Sequence, residues 1–361
     1  MKVLLITVRS DFGGGPKHVN QLISGLPSDV ELYMAYPADG DPYSDMWQHN
    51  ERIKETVNIP FRNFSFPKLF ELKRFVELHE IDIVHSHGNG AGVYSRLLKL
   101  IGCKAKIIHT FHGITESYDS FGKSIANRIM GRYLRHFTDK FILVSKSEYA
   151  IAQRHHFINR CGGLIVYNGI EEPCHNEYRT GTVLNIITLS RFDYQKNMDF
   201  AYEIARYYKH DSRLRFIWLG DGEDKSRLEA KSKAEGCNID FLGFVREPMM
   251  YIANASIYLS TSRFEGLPYG IIEASSMGIP TIATDVRGNN EVVQDSVTGY
   301  LFKTKEEAIS IINKFLEHPD ILPVLSKNSR DYFLNTFTID RMISVIYIIY
   351  KSVIKKELKR C

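Results

Sequence analysis

Residues 257–285 read "IYLSTSRFEGLPYGIIEASSMGIPTIATD", and one of them, Pro268, constrains how the others are built. Two short apolar runs, 257–259 and 281–283, enclose a segment holding Glu265, Gly266, Pro268, Gly270 and Glu273. On one unbroken helix the two glutamates, eight positions apart, would stand about 80° from each other. They would then resemble an acid/base pair. Proline excludes that arrangement, because it fits the first positions of a helix and breaks an interior. Glu265 therefore belongs to a loop after the first run, and Glu273 to the first turns of a helix that "PYGIIEASS" begins. Strand, loop, helix and strand in that order make one unit of a parallel sheet.

The same rhythm runs outward in both directions. Toward the N-terminus, strand patterns fall at 3–8, 31–35, 82–85, 106–110 and 140–145. Helical patterns lie between them, notably 16–26, 67–79 and 92–101. After a strand at 164–167 comes the polar connector "NGIEEPCHNEYRTGT" (168–182), and the rhythm restarts at 185–189, 215–219 and 240–242. The expected fold is α/β, with two doubly wound Rossmann-like domains facing a cleft. Residues 1–168 would form the first domain and 169–340 the second. A terminal helix over 341–361 would pack back on the first. Ligands of such sheets bind at the carboxyl ends of strands.

Bulk properties exclude several classes. At 361 residues, 44% apolar and 24% charged, the chain is globular and large enough for two cores. Five cysteines without a CxxC pair suit a reducing compartment. No leader pattern opens the sequence, so a cytoplasmic location is expected. Residues 1–168 carry 21 Lys+Arg against 16 Asp+Glu. The stretch 121–137, "FGKSIANRIMGRYLRHF", holds four of those bases and no acid. With Phe121, Ile125, Ile129 and Leu134 as an apolar stripe it reads as a basic amphipathic helix, packed on the core or docked on an anionic membrane. No recognition pattern for nucleic acid accompanies the charge.

Chemistry is sought in the loops after strands. In "RSDFGGGPKH" (9–18), Gly13, Gly14 and Gly15 let backbone approach a ligand and expose helix-start N–H groups, with Lys17 beside them. Asp39 and Asp41 form a D-x-D pattern, which turn chemistry explains in full. His85, His87, His109 and His112 cluster at strand ends. A zinc site can be drawn through them, but no cysteine or acid is spaced to complete it, and no metal ligand is assigned. His112, followed by Gly113, is placed to orient a substrate hydroxyl, with His87 as a weaker candidate. Arg191 and Lys196 share the loop "LSRFDYQKN" (189–197), where a guanidinium fork and a mobile ammonium suit a diphosphate. Gly243, Phe244 and Val245 can present backbone to a planar base. The N–H groups around Leu267, Tyr269, Gly270 and Ile271 would offer a second anion contact. Carboxylates beside such a site make sense as acceptors for sugar hydroxyls.

These motifs resemble those of the retaining glycosyltransferases of family 4, which have the GT-B fold. "EGLPYGIIE" is similar to that family's E-x7-E signature, and Arg191 with Lys196 to its Arg-x4-Lys pair. "VYNGI" (166–170), "HSHG", "HTFHG" and "GGGPKHV" fit its other loops, so the likeness covers nearly the whole chain. Pro16 stands where many relatives carry an acid. The resemblance implies that Arg191 and Lys196 bind the donor diphosphate, that Glu273 holds the nucleotide ribose and that Glu265 contacts the donor sugar. His112 would lie against the transferred sugar. It further implies transfer of a hexose or N-acetylhexosamine from a nucleoside diphosphate sugar, with UDP favoured, and no cofactor or metal. The acceptor would be a sugar hydroxyl of a lipid-linked saccharide at the inner membrane face, in surface polysaccharide assembly. Two rival readings are a non-hydrolysing sugar-nucleotide 2-epimerase and a non-catalytic sugar-nucleotide-binding protein.

Overall fold

The structure, a computed structural model, describes residues 1–39, 42–114, 121–159, 162–174, 178 and 181–355, with 121–127 described for the backbone alone. The chain divides into two compact units: Met1–Gly169 together with the segment from Ile339, and Ile170–Thr338.

The first unit is built on seven parallel strands, β1 (Lys2–Thr7), β2 (Glu31–Tyr36), β3 (Ile53–Asn58), β4 (Ile83–His87), β5 (Lys106–Thr110), β6 (Lys140–Leu143) and β7 (Gly163–Ile165). Their order is β3-β2-β1-β4-β5-β6-β7. β1 carries an almost unbroken apolar run, buried from Val3 to Thr7, as a strand covered on both faces requires. One of those faces is closed by the helix Ile339–Ile354, whose Met342, Ile346, Tyr350 and Val353 pack with Val19, Leu22 and Ile23. Tyr350 also meets the Nδ1 of His85, 2.6 Å away.

The second unit holds β8 (Leu184–Leu189), β9 (Leu214–Leu219), β10 (Ile239–Gly243), β11 (Ile257–Ser260), β12 (Thr281–Thr284) and β13 (Gly299–Phe302), in the order β10-β9-β8-β11-β12-β13. β8 and β11 are paired at its centre, so the loops leaving their carboxyl ends are neighbours.

Two strands escape the sequence pattern, β3 and β13, and both are sheet edges. Four of the six residues of β3, "IKETVN", are exposed, and β13 has four residues. An edge strand such as β3 has no second neighbour and little to bury, so its sequence need not look apolar, whereas β13 is too short to show a pattern. The basic stretch also requires correction. It forms the helix Phe121–Leu134 and a 3-10 turn, Arg135–Phe137, but Ile129 is 62% exposed while Leu134 is buried. Five helical residues turn through about 140°, so those two side chains cannot share a face. The Phe121 and Ile125 side chains lie outside the described residues, as does Asp41 of the D-x-D pattern. No described helix is long and apolar enough to cross a membrane.

Candidate active-site residues

In the second unit a small cavity lies between the ends of β8 and β11, lined by Ser190, Lys196, Tyr258, Ser262, Pro268 and Gly270, among others. Glu265 sits in the loop after β11, and Glu273 lies inside the helix Tyr269–Ser276. The two cations after β8 are reached by a tight turn. Lys196 N donates to the Asp193 carboxylate at 3.0 Å, and Asn197 takes the left-handed conformation before the helix Met198–Tyr207.

The turn aims Lys196 at Glu265, with Nζ 2.6 Å from Oε1. The same oxygen accepts from Ser262 Oγ at 2.7 Å, and Oε2 accepts from Gln195 Nε2 at 3.2 Å. Gln195 in turn accepts from Arg191 at 3.2 Å, and Arg191 pairs with Asp193 at 3.0 Å. Both cations and the first glutamate are thus joined in one network. A carboxylate has about four acceptor positions and an ammonium three donors. Counting partners among the described residues, Glu265 retains one position and Lys196 two donors for a ligand.

Two glycines make this geometry possible. Gly288 has φ +86°, and a Cβ there would stand 2.6 Å from that of Glu265, so only glycine allows the approach. A Cβ on Gly270 would lie 2.2 Å from Tyr258 Oη. That hydroxyl donates to Leu189 O at 3.0 Å. Burial pushes the phenol's pKa upward, with the charges of Glu273 and Glu265 adding to it, so the ring stays neutral. The side chains of Leu267, Tyr269 and Ile271 are buried, which leaves their backbone as the part a ligand could meet. Gly243 closes β10, its carbonyl accepting from Gly220 N at 2.7 Å. Phe244 beyond it is exposed and Val245 half-buried.

The first unit gathers histidines instead. His87 ends β4 and His112 follows β5, with His87 Nδ1 3.3 Å from His112 Nε2. His18, from the helix Gly14–Gly25, joins them with its ring centroid 4.7 Å from that of His112. His18 Nδ1 faces Asn168 Oδ1 at 3.2 Å. An amide oxygen only accepts, so Nδ1 carries the proton and Nε2 is bare. Burial lowers the pKa of His18 to about 4. It also holds His85, His87, His109 and His112 well below the ordinary value, with their neighbours' charges adding to the effect.

The ligand nitrogens of His18, His87 and His112 lie within 4.8 Å of one another. The zinc grouping drawn from sequence is therefore recast. His85 bonds to Tyr350 and Thr110, and His109 bonds to Ser86. Alternation along a strand separates His85 and His87 from Ser86 and its partner. Gly15 lies against this cluster, 3.8 Å from the His112 ring by its missing Cβ. Gly13 precedes the helix in extended backbone, and Lys17 N donates to its carbonyl.

The turn after His112 is held by Glu148, a buried acid absent from the sequence candidates. Its oxygens accept from Gly113 N at 2.6 Å and Val144 N at 2.9 Å, while Ser145 caps its helix. The signal available was S-x-x-E at Ser145–Glu148, a helix-start pattern. For His18 it was the position three residues beyond Gly15, one turn into the helix.

The family described as Glycosyltransferase Family 4 matches residues 12–172, and that described as Glycosyl transferases group 1 matches 177–332. An Escherichia coli relative, UDP-Gal:alpha-D-GlcNAc-diphosphoundecaprenol alpha-1,3-galactosyltransferase, is 24% identical over 80% of this chain and 81% of its own. The Staphylococcus aureus capsular polysaccharide biosynthesis glycosyltransferase CapH is 24% identical over 81% and 84%. Among solved structures, Anabaena HepE in complex with UDP and glucose superimposes with a TM-score of 0.82. It is 18% identical over 98% of this chain and 100% of that one.

Proposed function

From the premise that the chain belongs to family 4 of the glycosyltransferases, with the GT-B fold, we propose that it transfers a hexose or N-acetylhexosamine from a UDP-sugar, with retention, to a hydroxyl of a lipid-linked saccharide in surface polysaccharide assembly. The relatives' names support the acceptor class and pathway, and the UDP-bound neighbour supports the donor class. The observation that carries the reading is the Arg191–Gln195–Glu265–Lys196 network at the ends of β8 and β11.

In this reading Lys196 and Arg191 hold the donor diphosphate, with the N–H groups at the start of Tyr269–Ser276 completing the positive potential. Glu265 accepts from a donor-sugar hydroxyl, and Glu273 from the ribose. The backbone of Gly243–Val245 borders the base. The anomeric C–O bond to phosphate breaks as the acceptor oxygen attacks from the same face. The acceptor proton passes to a phosphate oxygen of the departing UDP. No divalent cation is assigned to the diphosphate, whose charge these cations and N–H groups meet. His112, held neutral by burial, is too weak a base to remove a proton near pH 7 and orients a hydroxyl instead. The Gly13–Gly15 turn is assigned to the donor, and His87 and Lys17 to the acceptor side. Peripheral residence on the cytoplasmic membrane face belongs to the same proposal.

The test is UDP release from a panel of UDP-sugars, with and without a diphospholipid-linked N-acetylhexosamine. The expected result is acceptor-dependent release and a product with an α-linkage. Release without acceptor and with a 2-epimer formed would establish the epimerase reading instead. Donor binding without turnover on any acceptor would leave a binding protein.

A further inference from the structure

The helix Phe66–Leu78 departs from what a surface helix normally shows. Leu69, Leu72, Phe75 and Val76 are buried beneath it, and such a helix should turn a polar face to water. Instead Phe66, Phe70 and Leu78 are 66%, 54% and 77% exposed. Steps of four residues place Phe66, Phe70, exposed Arg74 and Leu78 along one stripe. Just ahead, Phe61 is also exposed, with the Arg62 guanidinium 5.2 Å from its ring centroid. Phe64 packs between Phe66 and Tyr94, 4.9 and 4.7 Å away.

Charge indicates what covers this face. Residues 61–78 hold five phenylalanines and four bases, Arg62, Lys68, Lys73 and Arg74, against two acids, Glu71 and Glu77, which pair with Lys68 and Lys73. The centres of protein–protein interfaces are depleted in lysine, whereas aromatics interleaved with bases suit the headgroup level of an anionic bilayer. The patch also adjoins the chain's first loop. Arg62 N donates to Val8 O at 2.9 Å, and its guanidinium reaches Asp11 at 3.4 Å, two residues before the Gly13–Gly15 turn.

We propose that the 61–78 face docks on an anionic lipid bilayer, with Phe61, Phe66, Phe70 and Leu78 seated among the acyl chains' upper carbons and the bases among headgroups. The docking surface thereby moves from the basic stretch 121–137 to this helix. The proposal takes its purpose, though not its evidence, from the lipid-linked acceptor inferred above.

The experiment is co-sedimentation of the full chain with vesicles of phosphatidylcholine, alone or with about a third phosphatidylglycerol, at low and high salt. The wild type is expected to bind the anionic vesicles, less so at high salt. Phe66→Ser/Phe70→Ser should weaken binding about tenfold or more, and Arg74→Glu should weaken it at low salt. UDP release with a water-soluble acceptor should be unchanged in the double serine variant, so failure of the transfer reading and failure of this one are told apart. The proposal is overturned if the wild type ignores anionic vesicles, or if the serine variant binds as well as wild type. It is equally overturned if binding is lost in Arg128→Glu/Arg132→Glu instead. A dimer without lipid that the serine substitutions dissociate would make the face a protein interface and exclude docking on lipid.

Discussion

In the first unit the loops after β4 and β5 meet as imidazoles; in the second, the loops after β8 and β11 meet as ions. Both units carry a parallel sheet covered by helices, and both bring side chains together at the carboxyl ends of central strands. Around His112, itself half-buried, the imidazoles are held neutral by desolvation, and amide, hydroxyl and carboxylate partners set the orientation of the cluster and its loop. Around Glu265 the groups are buried on one side and partly open on the other, and each ion has a partner. Like architecture thus gives one site able to orient hydroxyls and one able to hold an anion. The choice between them rests on the residue types each loop carries and on whether each buried charge meets a counter-ion.

The largest expected effect breaks the ionic side. Lys196→Ala should lower the UDP-release rate by about 10²–10³-fold, the usual loss when one fixed donor to a developing anion is removed. It should also lower the melting temperature, because the buried Glu265 carboxylate loses its ion-pair partner. Lys196→Ala/Glu265→Gln should regain stability without regaining rate. Equal recovery of both would show that the pair is structural only.

The neutral side breaks with acid. A histidine whose folded-state value lies below its unfolded value, here about 4 for His18, takes up protons first in the unfolded chain. Its contribution to stability is complete above about pH 6.5 and is lost as pH falls toward 4, at about 1.4 kcal/mol per pH unit. Five such histidines lie in the first unit, so its stability should fall steeply over that window. Buried Trp47 reports the first unit and Trp218 the second. In urea melts at stepped pH, Trp218→Phe should show the slope, and His18→Asn should reduce it by about one proton. A slope carried by Trp218 fluorescence in Trp47→Phe and absent from Trp47 would contradict the burial argument.

Smaller effects sharpen the contrast. Gly288→Ala should destabilise the second unit by about 1–3 kcal/mol, read by Trp218 fluorescence, with the Trp47 transition unmoved. Glu148→Gln replaces one acceptor with a donor facing a backbone N–H. It should lower kcat about tenfold with little change in the KM for donor, since the residue steadies the turn after His112 and touches no nucleotide group. A change in donor KM alone would place its influence in the other unit.

Eleven of the thirteen described strands were legible as apolar runs, most of them because a strand buried on both faces must be apolar throughout. The loops at their ends were legible through residue types that tolerate few other uses: three glycines in a row, a proline before a helix, paired cations after a strand. The edge strand β3 was not, since exposure frees its sequence, and β13 was not because its four residues are too few to show a pattern. His18 and Glu148 were missed for a different reason. His18 meets a loop 150 residues away and Glu148 one 35 residues away, and nothing local distinguishes a buried partner from a surface one.

Sequence alone determined that Glu265 and Glu273 lie on opposite sides of a helix start, because Pro268 is a covalent constraint that needs no neighbours. It likewise determined the parallel order of strand and helix, a matter of period and burial. Only tertiary structure decided that Glu265 closes on Lys196, that His18 replaces His85 and His109 beside His112, and that a phenylalanine-bearing helix keeps a second apolar face in water. Those outcomes depend on which chain segments end within about 3–5 Å of one another, a distance set by packing and invisible to spacing along the chain.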